Sequence, residues 1–175
     1  MRVAADPLSG MGTMTAVAHR RWWQVFEVVV GLPVAAAVVL QHLRPLSLPQ
    51  GALSTLALPI GVVAVVAGVS LVVAARRQFA HQGQPTDPGH PTTRLVTTGV
   101  FGVSRNPLYV GGFLLLAGLA LLFDAPWMLI LLVPGVAACA QLLIRPEERY
   151  LAARFQAEYL AYEKQVCRWL GRASS

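Results

Sequence analysis

The residues of this chain best equipped for chemistry are Arg105-Asn106-Pro107, Tyr109 just beyond them, and the adjacent pair Glu147-Glu148. The planar fork of an arginine suits a carboxylate or a phosphate, and Asn106 brings an amide that both donates and accepts. Glu147 and Glu148 follow Pro146, a residue suited to the first turn of a helix, where carboxylates meet the positive end of the helix dipole. Upstream of Arg105, the run Thr92-Thr93-Arg94-Leu95-Val96-Thr97-Thr98-Gly99 offers hydroxyls and backbone groups, and Gly99 and Gly102 let a ligand approach the main chain. Such a set can grip a small molecule that carries a carboxylate or a phosphate. It is not a metal set: His81 and His90 are far apart and lack acidic neighbours, and Cys139 and Cys167 form no C-x-x-C motif. Nor is Gly99-Val100-Phe101-Gly102 a dinucleotide fingerprint, since no strand precedes it and no alternation of strands and helices surrounds it.

The elements that must position these residues are apolar helices. Hydrophobic residues make up 55% of the 175 and charged ones 13%, and the mean hydropathy is +0.57, a balance that makes the bilayer the solvent. Uncharged stretches of about 20 residues cross the hydrocarbon as helices. They run here from about Trp23 to Leu40, with only Gln24 and Glu27 polar at its start, and from Gly51 to Ala75, Pro107 to Phe123 and Ala125 to Ile144. The reading is an all-α integral membrane protein of about four transmembrane helices plus a C-terminal amphipathic helix at the cytoplasmic face. Residues 1–21 form an N-terminal arm, 22–75 the first two helices, 76–106 a cytoplasmic loop, 107–144 a hairpin turned at Asp124-Ala125-Pro126, and 145–175 the tail. Trp22 and Trp23 are expected to anchor the first helix at the interface, with no cleaved signal peptide before them.

Charge sets the orientation. Of the 14 Lys and Arg residues, three lie in the arm, four between 76 and 106 and six in the tail, against Arg44 alone in the loop between the first two helices. By the positive-inside rule both termini and the central loop are cytoplasmic. The basic balance therefore calls for no nucleic acid, which would need a basic stripe with interleaved aromatics on a soluble face. The span interiors lack the ionisable groups that mark transporters and proton relays, and Glu27, one turn inside the first helix, is expected to snorkel to the interface. A small transporter is thus disfavoured, and a non-catalytic helical assembly protein is the alternative to an enzyme.

In the tail, Leu151, Phe155, Tyr159, Tyr162, Val166 and Trp169 recur at helical intervals. They predict one amphipathic helix along the membrane surface, with Tyr159, Tyr162 and Trp169 at headgroup depth.

The two blocks LVTTGVFGVSRNPLYVGG and EERYLAARFQAEYLAYEKQVCRWL, separated by a two-helix hairpin, resemble the C-terminal signature of the isoprenylcysteine carboxyl methyltransferase and phospholipid methyltransferase families over about residues 76–170. The resemblance implies an S-adenosylmethionine-dependent methyltransferase whose cofactor is held at the cytoplasmic face by the loop and the tail. Carried over by position, the cofactor contacts are Thr93, Arg94, Leu95, Val96, Phe101, Asn106, Pro107, Leu108, Tyr109, Glu147 and Glu148, and the catalytic set is Arg105, Asn106, Tyr109 and Glu147. The implied acceptor is a lipophilic molecule entering from the bilayer: an isoprenylcysteine-like carboxylate, a phospholipid amine or another lipid-like compound. This chain departs from the pattern in having Phe101 for a tyrosine, Asn106 for a histidine, Gln156 where glycine is common, and Leu143 where the prenylcysteine-methylating members carry an arginine. Oligomeric state is left open.

Overall fold

A computed structural model of the chain describes residues 26–83 and 94–172. The N-terminal arm, Trp22, Trp23 and Thr93 lie outside them. The regular elements among the described residues are helices and helical turns: α1 (Phe26–Leu43), α2 (Ala52–His81), a short 3-10 turn (Gly99–Gly102), α3 (Pro107–Leu122), α4 (Pro126–Cys139), a π-helical turn (Ala140–Ile144) and α5 (Arg145–Gln165). Three helical stretches are long and apolar enough to cross a membrane: Phe26–Leu43, Ser54–His81 and the continuous Pro126–Gln165, whose apolar part is its first half; Pro107–Leu122 is a shorter apolar helix. Prolines open α3 and α4 at their first turn, where the missing N–H has no intrahelical partner to lose.

α2 lies along α3, and α1 along α4. The first seam is built on glycine. Gly61 and Gly68 on α2 face Gly118 and Gly111 on α3, each pair two turns apart, and a Cβ on Gly68 would sit 2.7 Å from the Gly111 carbonyl oxygen and from the Leu115 nitrogen. Gly112, next along α3, leaves room for the ring of Phe26. At the end of the bundle away from Arg105, Asp124 accepts the Leu48 N–H at 2.7 Å and the Trp127 indole N–H donates to the Arg44 carbonyl at 2.8 Å. These bonds tie the α1–α2 loop to the α3–α4 turn.

The tail differs from the single surface helix that its periodicity predicts. α5 is broken at Gln156, whose φ of 43° and ψ of −116° are non-helical. The helix ends at Gln165, and Val166 is extended and bridges to Arg172. Tyr159, Tyr162 and Val166 are buried together and pack with Leu95, Leu151 and Phe155, so the apolar stripe covers the preceding loop rather than lipid. Trp169 leaves the stripe altogether and stacks near Phe113, with ring centroids 6.1 Å apart. The physical reason is that the stripe finds partners in the chain's own 95–104 segment, where burial removes its apolar surface from water.

Candidate functional site

The segment from Gly99 to Tyr109 is held in place before it reaches the site. Gly99 takes a φ of +63° beside Gln78, where a Cβ would approach the Gln78 side-chain oxygen to 3.0 Å, and Gln78 donates to the Thr98 hydroxyl at 2.8 Å. Phe101 and Val96 are buried against Ala75, with Phe79 and Leu108 packed around them. The Phe101 ring lies 4.9 Å from that of Phe79, and its carbonyl accepts the Tyr162 hydroxyl at 2.7 Å. Pro107 is fully buried. Leu95 belongs to the tyrosine cluster, while Arg94 is exposed on the bend before it.

The C-terminal loop then closes onto this segment through the main chain. The Arg105 N–H donates to the Cys167 carbonyl at 3.1 Å, the Gly171 N–H to the Val103 carbonyl at 2.8 Å, and the Cys167 N–H to the Gly171 carbonyl at 2.9 Å. Asn106, buried, adds its side-chain amide, which donates to the Arg168 carbonyl at 3.2 Å, while its backbone N–H donates to Ser104 Oγ. The amide at this position thus pins the loop that carries Arg168.

Arg105 sits at the centre, its side chain only 8% exposed. It donates to Glu163 at 2.5 Å, approaches Glu148 at 3.5 Å, and reaches the Tyr159 hydroxyl at 3.4 Å. Glu148 also takes a two-pronged grip from Arg168, whose Nη2 lies 2.7 Å and Nε 3.0 Å from one carboxylate oxygen. Burial disfavours the charged form of Arg105, but the hydrogen bond it donates to Glu163 and the charge of Glu148 outweigh it, and its pKa rises above the usual arginine value. The hydrogen bond to Glu148 raises Arg168 likewise. Burial, reinforced by Glu148, pushes the Tyr159 phenol up to about 12.

Glu148 and Glu163 are fifteen residues apart, so a straight helix would separate them by about 22 Å. Both reach one guanidinium only because α5 folds back at Gln156. Between its two halves and the terminal loop lies a polar cleft of about 350 Å³, lined by Arg145, Glu148, Arg149, Ala152, Tyr159, Glu163 and Arg168.

Glu147 points elsewhere. It accepts the Tyr109 hydroxyl at 3.1 Å, and Tyr109 begins a chain of aromatic contacts: its ring is 5.8 Å from Phe26, which is 5.8 Å from Phe113, which in turn meets Trp169. The wall behind them is the buried cluster of Val30, Cys139, Leu143 and Ile144. The first helix, which the sequence marks only as hydrophobic, therefore supplies Phe26 to the site.

Of the predicted residues, Arg105, Asn106, Tyr109, Glu147 and Glu148 converge, and Leu95, Val96, Phe101, Pro107 and Leu108 form the apolar footing beneath them. Glu163, Arg168 and the buried use of Tyr159 and Tyr162 were not foreseen. The one sequence signal for them is Gln156, standing where a glycine is common in the family resembled.

Comparison with known proteins gives two findings. The sequence pattern of the phospholipid methyltransferase family matches residues 56–158, more than half of the chain. Protein-S-isoprenylcysteine O-methyltransferase of Saccharomyces cerevisiae is 39% identical over 72 residues, which cover 41% of this chain and 30% of that protein. The match thus spans less than a third of the relative's length. No solved structure matches.

Proposed function

This chain belongs to the phospholipid methyltransferase family, and on that premise we propose that it is an integral membrane enzyme moving a methyl group from S-adenosylmethionine to a lipophilic acceptor. The observation that carries the reading is the meeting of two distant blocks: Arg105 with Glu148 and Glu163, Tyr109 with Glu147, and Asn106 with the Arg168 carbonyl. A merely structural helix pair has no need to gather so many charged groups at one membrane exit.

The donor set suits the proposed cofactor. Its carboxylate would find the guanidinium of Arg168 and its ammonium the carboxylate of Glu163, both in the cleft lining, and its ribose hydroxyls would reach Glu147 beside Tyr109. When bound, S-adenosylmethionine supplies an electrophilic methyl group on a sulfonium. The ring of Tyr109 offers a face to such a cation. Methyl transfer is an in-line displacement, so the task of these residues is to hold donor and acceptor at attack distance and keep water out. Phe26, Phe113 and Trp169 form an apolar wall beside Tyr109 that serves the second purpose.

In this reading α1 to α4 all cross the bilayer. α3, with 16 residues, is about 24 Å long and spans by local thinning of the membrane. The basic loop and tail support a cleft at the cytoplasmic face. The acceptor, itself a membrane solute, enters sideways between helices.

The test is equilibrium binding of radiolabelled S-adenosylmethionine to the folded protein in detergent. Saturable binding that weakens in Glu147→Gln is expected; a folded sample that binds none sinks the proposal. Mass spectrometry of a lipid extract incubated with protein and cofactor would then name the acceptor by its added methyl group.

A further inference from the structure

Taking the cofactor reading above as given, we propose that Glu148 is a positioning residue: it holds one edge of the Arg168 guanidinium so that the other edge is presented to the carboxylate of the cofactor. Arg168 is fixed at both ends. Its carbonyl accepts the Asn106 side-chain amide at 3.2 Å, which sets where the main chain of the terminal loop stands. Its guanidinium lies against Glu148 through Nε and Nη2, at 3.0 and 2.7 Å from Oε2. Immobilising an arginine costs rotamer entropy, and here that loss falls on folding, before any ligand arrives.

The grip leaves Arg168 half used. The edge formed by Nε and Nη2 is taken, whereas Nη1 has no partner among the described residues. The N–H donors of an arginine lie in one plane, and the edge formed by Nη1 and Nη2 matches a second carboxylate as the first edge does. The Arg168 side chain lines the cleft and is 34% exposed, so a ligand in the cleft can reach it.

Glu148 itself is poorly placed to touch the cofactor. Its side chain is 11% exposed, Oε2 takes both Arg168 donors, and Oε1 lies 3.1 Å from Arg168 Nε and 3.5 Å from Arg105 Nη2. An ammonium brought to this carboxylate would stand against two guanidiniums and be repelled by both. Glu163, 42% exposed and paired with Arg105, is the less crowded partner for it. Arg105, anchored by donating its own N–H to the Cys167 carbonyl, steadies Glu148 from a second side.

Calorimetric titration of the full chain in detergent with S-adenosylmethionine and with its decarboxylated form tests the assignment. The decarboxylated compound keeps the adenosine, the sulfonium and the ammonium and lacks only the group meant for Arg168. The wild type should prefer S-adenosylmethionine at least about tenfold, or about 1.4 kcal/mol. Glu148→Gln should cut that preference to about twofold or less by weakening S-adenosylmethionine alone. General damage to the cleft lowers both affinities together and leaves their ratio where it was, so the ratio separates positioning from stability. Arg168→Lys keeps the charge and can still pair with Glu148, but a single ammonium has no second edge. It should lose the preference as well, and it carries the test if Glu148→Gln does not fold. An unchanged ratio in either variant overturns the proposal. Tighter binding of S-adenosylmethionine in Glu148→Gln also overturns it, by making Glu148 a competitor for the Arg168 fork. Equal binding of the two compounds by the wild type removes the carboxylate grip and leaves the cofactor reading in place. A folded wild type that binds neither compound removes the cofactor reading itself, and this assignment with it.

Discussion

Glu147 and Glu148 are neighbours in the sequence with different duties. Glu148 is buried between two arginines, and neutralising it strands Arg168 and leaves Arg105 with Glu163 alone, a loss on the order of 3 kcal/mol. Glu148→Gln should therefore lower the unfolding midpoint markedly in a thermal melt. Glu147→Gln should cost only about 1 kcal/mol for its hydrogen bond from Tyr109. It should nevertheless reduce methyl transfer by about a hundredfold if the carboxylate positions the cofactor. Tyr159 predicts an alkaline effect. Its folded-state pKa, pushed up to about 12, lies above the ordinary tyrosine value, so the folded chain holds this proton after the unfolded chain has lost it. The stabilisation is complete below pH 10 and is lost as pH rises toward 12. Unfolding midpoints should fall over that window, and less steeply in Tyr159→Phe. At this scale the sequence shows the arginine, the amide and the paired carboxylates, because their types and local order announce anion and cofactor chemistry. It hides Glu163, whose approach to Arg105 depends on a change of chain direction seven residues earlier.

That change of direction belongs to the element. A residue without glycine's freedom is held at φ 43° in Gln156, a conformation that costs about 1–2 kcal/mol for an L side chain. Gln156→Gly should raise the melting midpoint by the equivalent of about 1 kcal/mol and leave the cleft intact, whereas an uninterrupted helix would make that substitution destabilising by a similar amount. The stripe from Leu151 to Trp169 reads as continuous helix because hydrophobic spacing reports which residues are buried and is blind to where the axis bends. The glycine seam makes the opposite case. Gly61, Gly68, Gly111 and Gly118 give no signal in a hydropathy profile, yet at Gly68 the neighbours are main-chain atoms that cannot move aside. Gly68→Ala should force α2 off α3 and destabilise by about 1–3 kcal/mol. Gly31→Ala, with nothing within 4 Å of the added carbon, should be neutral or gain up to about 1 kcal/mol in helix propensity; thermal melts of the two variants decide.

For the molecule as a whole, the apolar helices are legible in the sequence because the bilayer demands runs of a given length, and their partners are not, since lipid and protein interiors call for the same side chains. The orientation proposed from charge is open to direct test. With Cys139→Ala and Cys167→Ser removing the native thiols, Ser47→Cys, exposed in the α1–α2 loop, should react with a membrane-impermeant maleimide on intact spheroplasts. Arg172→Cys should react only after permeabilisation, and the reverse pattern would invert the topology. The docking of the last described residues onto Val103 and Arg105 also bears on synthesis. A nascent chain can insert all of its apolar helices while Glu163, Cys167 and Gly171 are still inside the ribosome. The cleft cannot close until Glu163, Cys167 and Gly171 have emerged, so a chain stalled or clipped after Gln156 would hold its apolar helices and have no site at all.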